Sequence, residues 1–150
     1  MKGFRNGKEI VFRCSKNNMD KIHKAGAIII QDKKMLVTKS FGKEFYITPG
    51  GKYEEGENAE QCLRRELMEE LQVELKSFSH YKDYYFDSGL YIEKPLQIEL
   101  YLVDINGEPK VSREIEDMKW LSKDDIKNRQ VKLAASFDEF LPDFVKGGLL

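Results

Sequence analysis

The chain has 150 residues, 41% hydrophobic and 34% charged, and its 25 Lys and Arg nearly balance 26 Asp and Glu for a formal net charge of −1. Near-neutrality argues against a nucleic-acid binder held by a broad basic field. The longest apolar stretch, Ala25–Ile30, is far short of the roughly 20 residues that a membrane-spanning helix needs.

A single domain over residues 1–150 is the natural expectation for this length. Residues 1–24 are polar and read as an N-terminal extension or an edge strand, with strand character at Glu9–Cys14. They hold no apolar signal core, so a cytoplasmic location is expected. Cys14 and Cys62 stand apart, without the close pairing of zinc or redox motifs. His23 and His80 are the only histidines, too few for a His-rich metal site. Catalysis, if present, belongs to carboxylates and a metal.

Ala25–Gln31 and Met35–Lys39 read as two strands of a hairpin turning at Asp32-Lys33-Lys34. Phe45–Thr48 reads as a further strand, ended by the turn signal Pro49-Gly50-Gly51. A helix is expected over Ala59–Leu71, with Cys62 beside Leu63, Leu67 and Leu71 on its apolar face. At about 100° per residue, Glu66, Glu69 and Glu70 fall within an arc of roughly 100°. Glu60 has Arg64 four residues ahead, and Arg65 can reach Glu69. Glu66 and Glu70 have no base at that spacing and face each other, which costs roughly 0.2–0.5 kcal/mol. A divalent cation would remove that repulsion; a solvated acidic face is the other reading of the helix alone.

Beyond the helix, Val73–Asp87 is expected to be extended until Ser88-Gly89, and Leu96–Ile105 to be a core strand ended by Asn106-Gly107. Met118–Leu121 reads as a short strand. Ser122–Asp125 and Ser136–Glu139 have the form of capping boxes that open helices; Pro142 predicts a kink or later start in the second, and Gly147-Gly148 its end. Strands around one central helix, with helices at the end, make an α+β layered domain.

The 23 residues Gly51–Val73, GKYEEGENAEQCLRRELMEELQV, resemble the Nudix box, G-x5-E-x7-R-E-U-x-E-E-x-G-U with U aliphatic. Gly51, Glu57, Arg65-Glu66-Leu67, Glu69-Glu70-Leu71 and Val73 fill its positions. Gln72 stands where the family has Gly. A left-handed Gln would cost roughly 1–2 kcal/mol, so the helix is expected to end differently or to run one residue further.

The resemblance implies an α/β/α sandwich with a mixed sheet between helices. It further implies hydrolysis of a nucleoside diphosphate linked to another moiety, with Mg²⁺ as cofactor and Mn²⁺ as a substitute. Glu66, Glu69 and Glu70 would be the metal ligands, assisted by the carbonyl of Gly50 or Gly51. Arg65 would orient them, Glu57 would bind metal or support the loop, and Glu66 is the first choice of general base. Another carboxylate is expected from outside the box, Glu114 or Glu116, with Lys39 or Arg113 on phosphate. A MutT-like triphosphate substrate is the default expectation, releasing a nucleoside monophosphate. Tyr91 hints at dinucleoside polyphosphates, the absence of a Pro near Ser88-Gly89 disfavours ADP-ribose, and a non-catalytic nucleotide-binding module is the other class. Neither nucleic acid nor membrane is an expected partner, and either a monomer or a homodimer is.

Overall fold

The computed structural model describes residues 21–87 and 94–150, together with the backbone of the short strands β1 (Gly3–Phe4) and β2 (Glu9–Ile10), which pair with each other. The expected Val11–Cys14 strand segment, Ser88-Gly89 and Tyr91 lie outside the described residues.

Seven residues, with small Ala25, Gly26 and Ala27 at their centre, build the heart of the sheet. Strand β3 (Ile22–Ile28) lies between β6 (Gly50–Lys52), to which it is antiparallel, and β8 (Leu96–Asn106), to which it is parallel. Strand β7 (Glu74–Phe86) joins β8 antiparallel, so the order β6-β3-β8-β7 is a mixed sheet. Residues 22–24, expected to be in an extension or an edge strand, therefore sit in an interior strand. A second sheet, β4-β5-β9, is antiparallel throughout and comprises Ile30–Gln31, Lys34–Ser40 and Ile115–Ser122. The last strand is longer than the expected Met118–Leu121. The β4–β5 hairpin turns through Asp32 (φ 52°) and Lys33 (φ 63°), a left-handed pair that matches the twist of the strands it joins.

Alternation divides the side chains between two cores. On one face, Ala25, Ala27, Val103 and Ile105 pack against Cys62, Leu63, Leu67 and Leu71 of α1 (Ala59–Leu71). On the other, Ile28, Val37, Leu100 and Leu121 pack against Phe137, Phe140 and Phe144 of α3 (Phe137–Lys146). Each fully buried Phe contributes on the order of 1.5–3 kcal/mol. The result is an α/β/α sandwich, with a short α2 (Lys123–Lys127) after β9.

Helix ends meet expectation at Ala59 and Ser122 and depart from it at Gln72, Ser136 and Pro142. Asn58 and Gln61 form a reciprocal cap at the start of α1, each side chain accepting from the other's backbone N–H at 2.9 Å. Gln72 adopts the left-handed conformation (φ 57°, ψ 38°), so α1 stops where a Gly would stop it. Ser122 caps α2 with Asp125, whereas Ser136 makes no side-chain cap; its own helical φ and ψ (−58°, −25°) turn it away from the role. Helix α3 begins at Phe137 and runs through Pro142, because three buried Phe rings set its position more strongly than one lost backbone hydrogen bond.

Candidate active site

Phe45–Thr48 does not form the expected strand: Tyr46 and Ile47 make only isolated bridges, and regular pairing begins at Gly50-Gly51 itself. Two glycines make this the place where a strand can lie against a helix carrying carboxylates. A Cβ on Gly50, whose φ is +130°, would overlap the Ala25 carbonyl oxygen, and one on Gly51 would overlap the Glu66 carboxylate. The Gly50-Gly51 part of the expected turn is thus a strand whose bare backbone faces acid.

Helix α1 buries Glu66 and Glu70, 8% and 5% exposed, on the face that also carries Cys62, Leu63, Leu67 and Leu71. Gly50 N–H donates to Glu70 Oε1 at 3.1 Å. Burial pushes the Glu70 carboxyl up to about 8, the neighbouring Glu66 and Glu114 adding to the shift and the Gly50 hydrogen bond opposing it. Burial also raises Glu66, against the pull of Arg65. Oxygens of Glu66, Glu70 and Glu114 lie within 4.8 Å of one another, a group that could hold a metal ion.

Arg65 organises the rim. Its Nε and Nη2 donate to the two Glu57 oxygens at 2.6 and 2.9 Å, its Nη1 to Glu66 Oε2 at 2.8 Å, and its Nη2 to the Lys52 carbonyl at 3.0 Å. Glu57 accepts from the Glu54 N–H at 2.8 Å as well; the Arg65 hydrogen bond holds its carboxyl down to about 2. Glu69, one-third exposed, sits 3.5 Å from Arg65 Nη1 and outside the three-carboxylate group. Cys62 directs its thiol to the Gly51 and Lys52 carbonyls at 3.6 Å, and burial pushes that thiol up to about 12.

The two acids before Trp120 part company. Glu114 joins Glu66 and Glu70, whereas Glu116 pairs with Lys39 at 3.5 Å. A left-handed Arg113 (φ 60°) and the 2.8 Å hydrogen bond from Phe41 N–H to the Glu114 carbonyl bend the chain there. Lys39 also lies 5.8 Å from the Tyr46 ring, and Tyr46 donates to Asp117 Oδ2 at 2.5 Å. The sequence reading passed over Lys24, whose ammonium is destabilised by burial and by Lys52 and is favoured by Glu70 and Glu66. Its position opposite Lys52 on adjacent strands is the signal that would have found it.

Buried, mutually close carboxylates beside a cationic rim suit a hydrolase that handles phosphate charge. A profile of the NUDIX domain matches residues 21–144, and the chain belongs to that family as a Nudix pyrophosphohydrolase. It is 31% identical over 104 residues to the 8-oxo-dGTP diphosphatase of Buchnera aphidicola subsp. Schizaphis graminum, which spans 67% of this chain and 76% of that protein. Among solved structures, a MutT from work on Aliivibrio salmonicida and Vibrio cholerae is 26% identical with a TM-score of 0.69, covering 85% of this chain and 98% of the other. The E. coli ORF135 protein is 25% identical with a TM-score of 0.69, covering 86% and 91%. No helix of the described residues is long and apolar enough to cross a membrane.

Proposed function

We propose that the protein is a Mg²⁺-dependent hydrolase of nucleoside triphosphates that releases the nucleoside monophosphate. The observation that carries this reading is the buried Glu66–Glu70 pair with Glu114 within 4.8 Å. Among the described residues, the Glu70 carboxylate receives one backbone N–H and has no Lys or Arg within 4.0 Å. A hard oxygen-seeking cation fits that donor set. Glu66, Glu70 and Glu114 would hold it, with Glu69 at the rim as a further ligand and Mn²⁺ able to substitute. When bound, the ion neutralises phosphate charge and makes a water more acidic.

The chain's own groups do the rest. Arg65 fixes Glu66 Oε2, which leaves Oε1 to take the proton of the attacking water. Lys39 would meet a phosphate oxygen on leaving Glu116. The relative's printed activity on 8-oxo-dGTP makes purine nucleoside triphosphates, oxidised ones included, the first substrates to test. Purified protein with Mg²⁺ is incubated with triphosphates, dinucleoside polyphosphates, ADP-ribose and sugar nucleotides, and products are read by mass. A monophosphate and pyrophosphate from a triphosphate support the reading. No turnover of any of them rejects it.

A further inference from the structure

On the α1 side of the sheet, a carboxylate outside the cluster gathers three donors. Glu99 of β8 accepts from the Tyr53 hydroxyl, from the Tyr101 hydroxyl at 3.0 Å and from His23 Nε2 at 2.6 Å. The His23 and Tyr53 rings lie 4.4 Å apart, and Tyr53 N–H donates to the His23 carbonyl at 3.1 Å. Burial opposes ionisation of Glu99, but the three hydrogen bonds hold it below the usual carboxylate range. Burial and the adjoining Glu99 push the Tyr53 phenol up, so it stays a donor.

Tyr53 directly follows Lys52, the last residue of β6. The Lys52 carbonyl accepts from Arg65 Nη2, and Arg65 holds both Glu57 and Glu66. Hydrogen bonds and one peptide link thus run from Glu99 through Tyr53 and Lys52 to Arg65 and Glu66. Tyr101, by contrast, reaches Glu99 from two positions further along β8 and meets the end of β6 only through the Tyr53 hydroxyl, with no bond of its own to Lys52.

We infer that Glu99 and Tyr53 are positioning residues for the carboxylate cluster: by tethering the chain at the end of β6 they fix the Lys52 carbonyl, and through it Arg65 and Glu66. The inference rests on the metal reading above. Neither residue touches the reacting atoms. Partners that orient metal-binding groups typically change affinity by about 10–100-fold when removed. Tyr53→Phe deletes one hydroxyl and keeps the ring on His23.

The test is Mn²⁺ binding followed by electron paramagnetic resonance, without nucleotide, well below the melting temperature. Wild type, Tyr53→Phe, Tyr101→Phe and Glu99→Gln are compared, with kcat and KM taken in parallel. Tyr53→Phe is expected to weaken Mn²⁺ about 10-fold and lower kcat at fixed Mn²⁺ with KM for nucleotide within about twofold. Tyr101→Phe should change affinity less than about twofold, and Glu99→Gln, which keeps an acceptor, should fall between. Equal losses in Tyr53→Phe and Tyr101→Phe would mean a diffuse packing role and overturn the inference. Wild-type affinity in Tyr53→Phe, with wild type itself binding Mn²⁺, overturns this inference alone. Failure of wild type to bind Mn²⁺ overturns the function reading and this one with it.

Discussion

Gly50 and Glu70, twenty positions apart in sequence, meet through a 3.1 Å hydrogen bond from the Gly50 N–H to Glu70 Oε1. That bond joins the start of β6 to the inner turns of α1. Among the described residues it is the one direct donor to a carboxylate that burial otherwise pushes toward neutrality.

Metal-free protein should lose stability as pH rises through the upper part of its range. The Glu70 carboxyl moves from an ordinary 4.5 to about 8 on folding, and Glu66 also moves up. A group raised in the folded state gives stability that is fully present below its unfolded value and is lost as pH rises through its folded value. The melting temperature in EDTA should therefore fall between about pH 5 and pH 9. Saturating Mg²⁺ should flatten that fall, and Glu70→Gln should flatten it without metal. Calorimetry across this range checks both; a flat EDTA profile contradicts the burial argument. At the acid end the sign reverses. Glu57, held down to about 2 by Arg65, contributes above its ordinary value and loses that contribution as pH falls.

Arg65→Lys should lower kcat by roughly 10–100-fold, the range for groups that orient metal ligands. A lysine cannot span both Glu57 oxygens, Glu66 and the Lys52 carbonyl with one ammonium, whereas the guanidinium meets all of them between 2.6 and 3.0 Å. Steady-state kinetics with circular dichroism separate this from misfolding.

Gln72→Gly should stabilise the protein by about 1 kcal/mol, raising the melting temperature by roughly 2–4 °C. Gln72 holds a left-handed conformation at φ 57°, which Gly adopts without the Cβ penalty. Turnover should stay within about twofold, since no carboxylate or donor of the site is changed. A fall in melting temperature would show that the Gln72 side chain contributes more than its backbone costs.

What could be read from the sequence was local. The box helix, its Glu66–Glu70 face and the buried Cys62 follow from spacing within one element, and Leu96–Ile105 from simple alternation. The remainder depends on partners distant in sequence. Gly50–Lys52 has poor strand propensity and becomes a strand because β3 pairs with it. Glu114 rather than Glu116 joins the carboxylates because Arg113 is left-handed, which no spacing rule announces for an arginine. His23 meets Glu99 across 76 residues through the parallel β3–β8 register. Ser136 had the residue types of a cap but not the backbone, since the packing of Phe137 and Phe140 sets where α3 begins.

Turnover by Glu70→Gln tests the central claim most directly. The substitution keeps the shape of the side chain and an acceptor for the Gly50 N–H, while removing the charge that would hold Mg²⁺. With saturating Mg²⁺ and the best triphosphate from the substrate panel, kcat should fall by at least about 100-fold while the circular dichroism spectrum is unchanged. Wild-type turnover in this variant would contradict the account and move the metal site away from the buried carboxylates of α1.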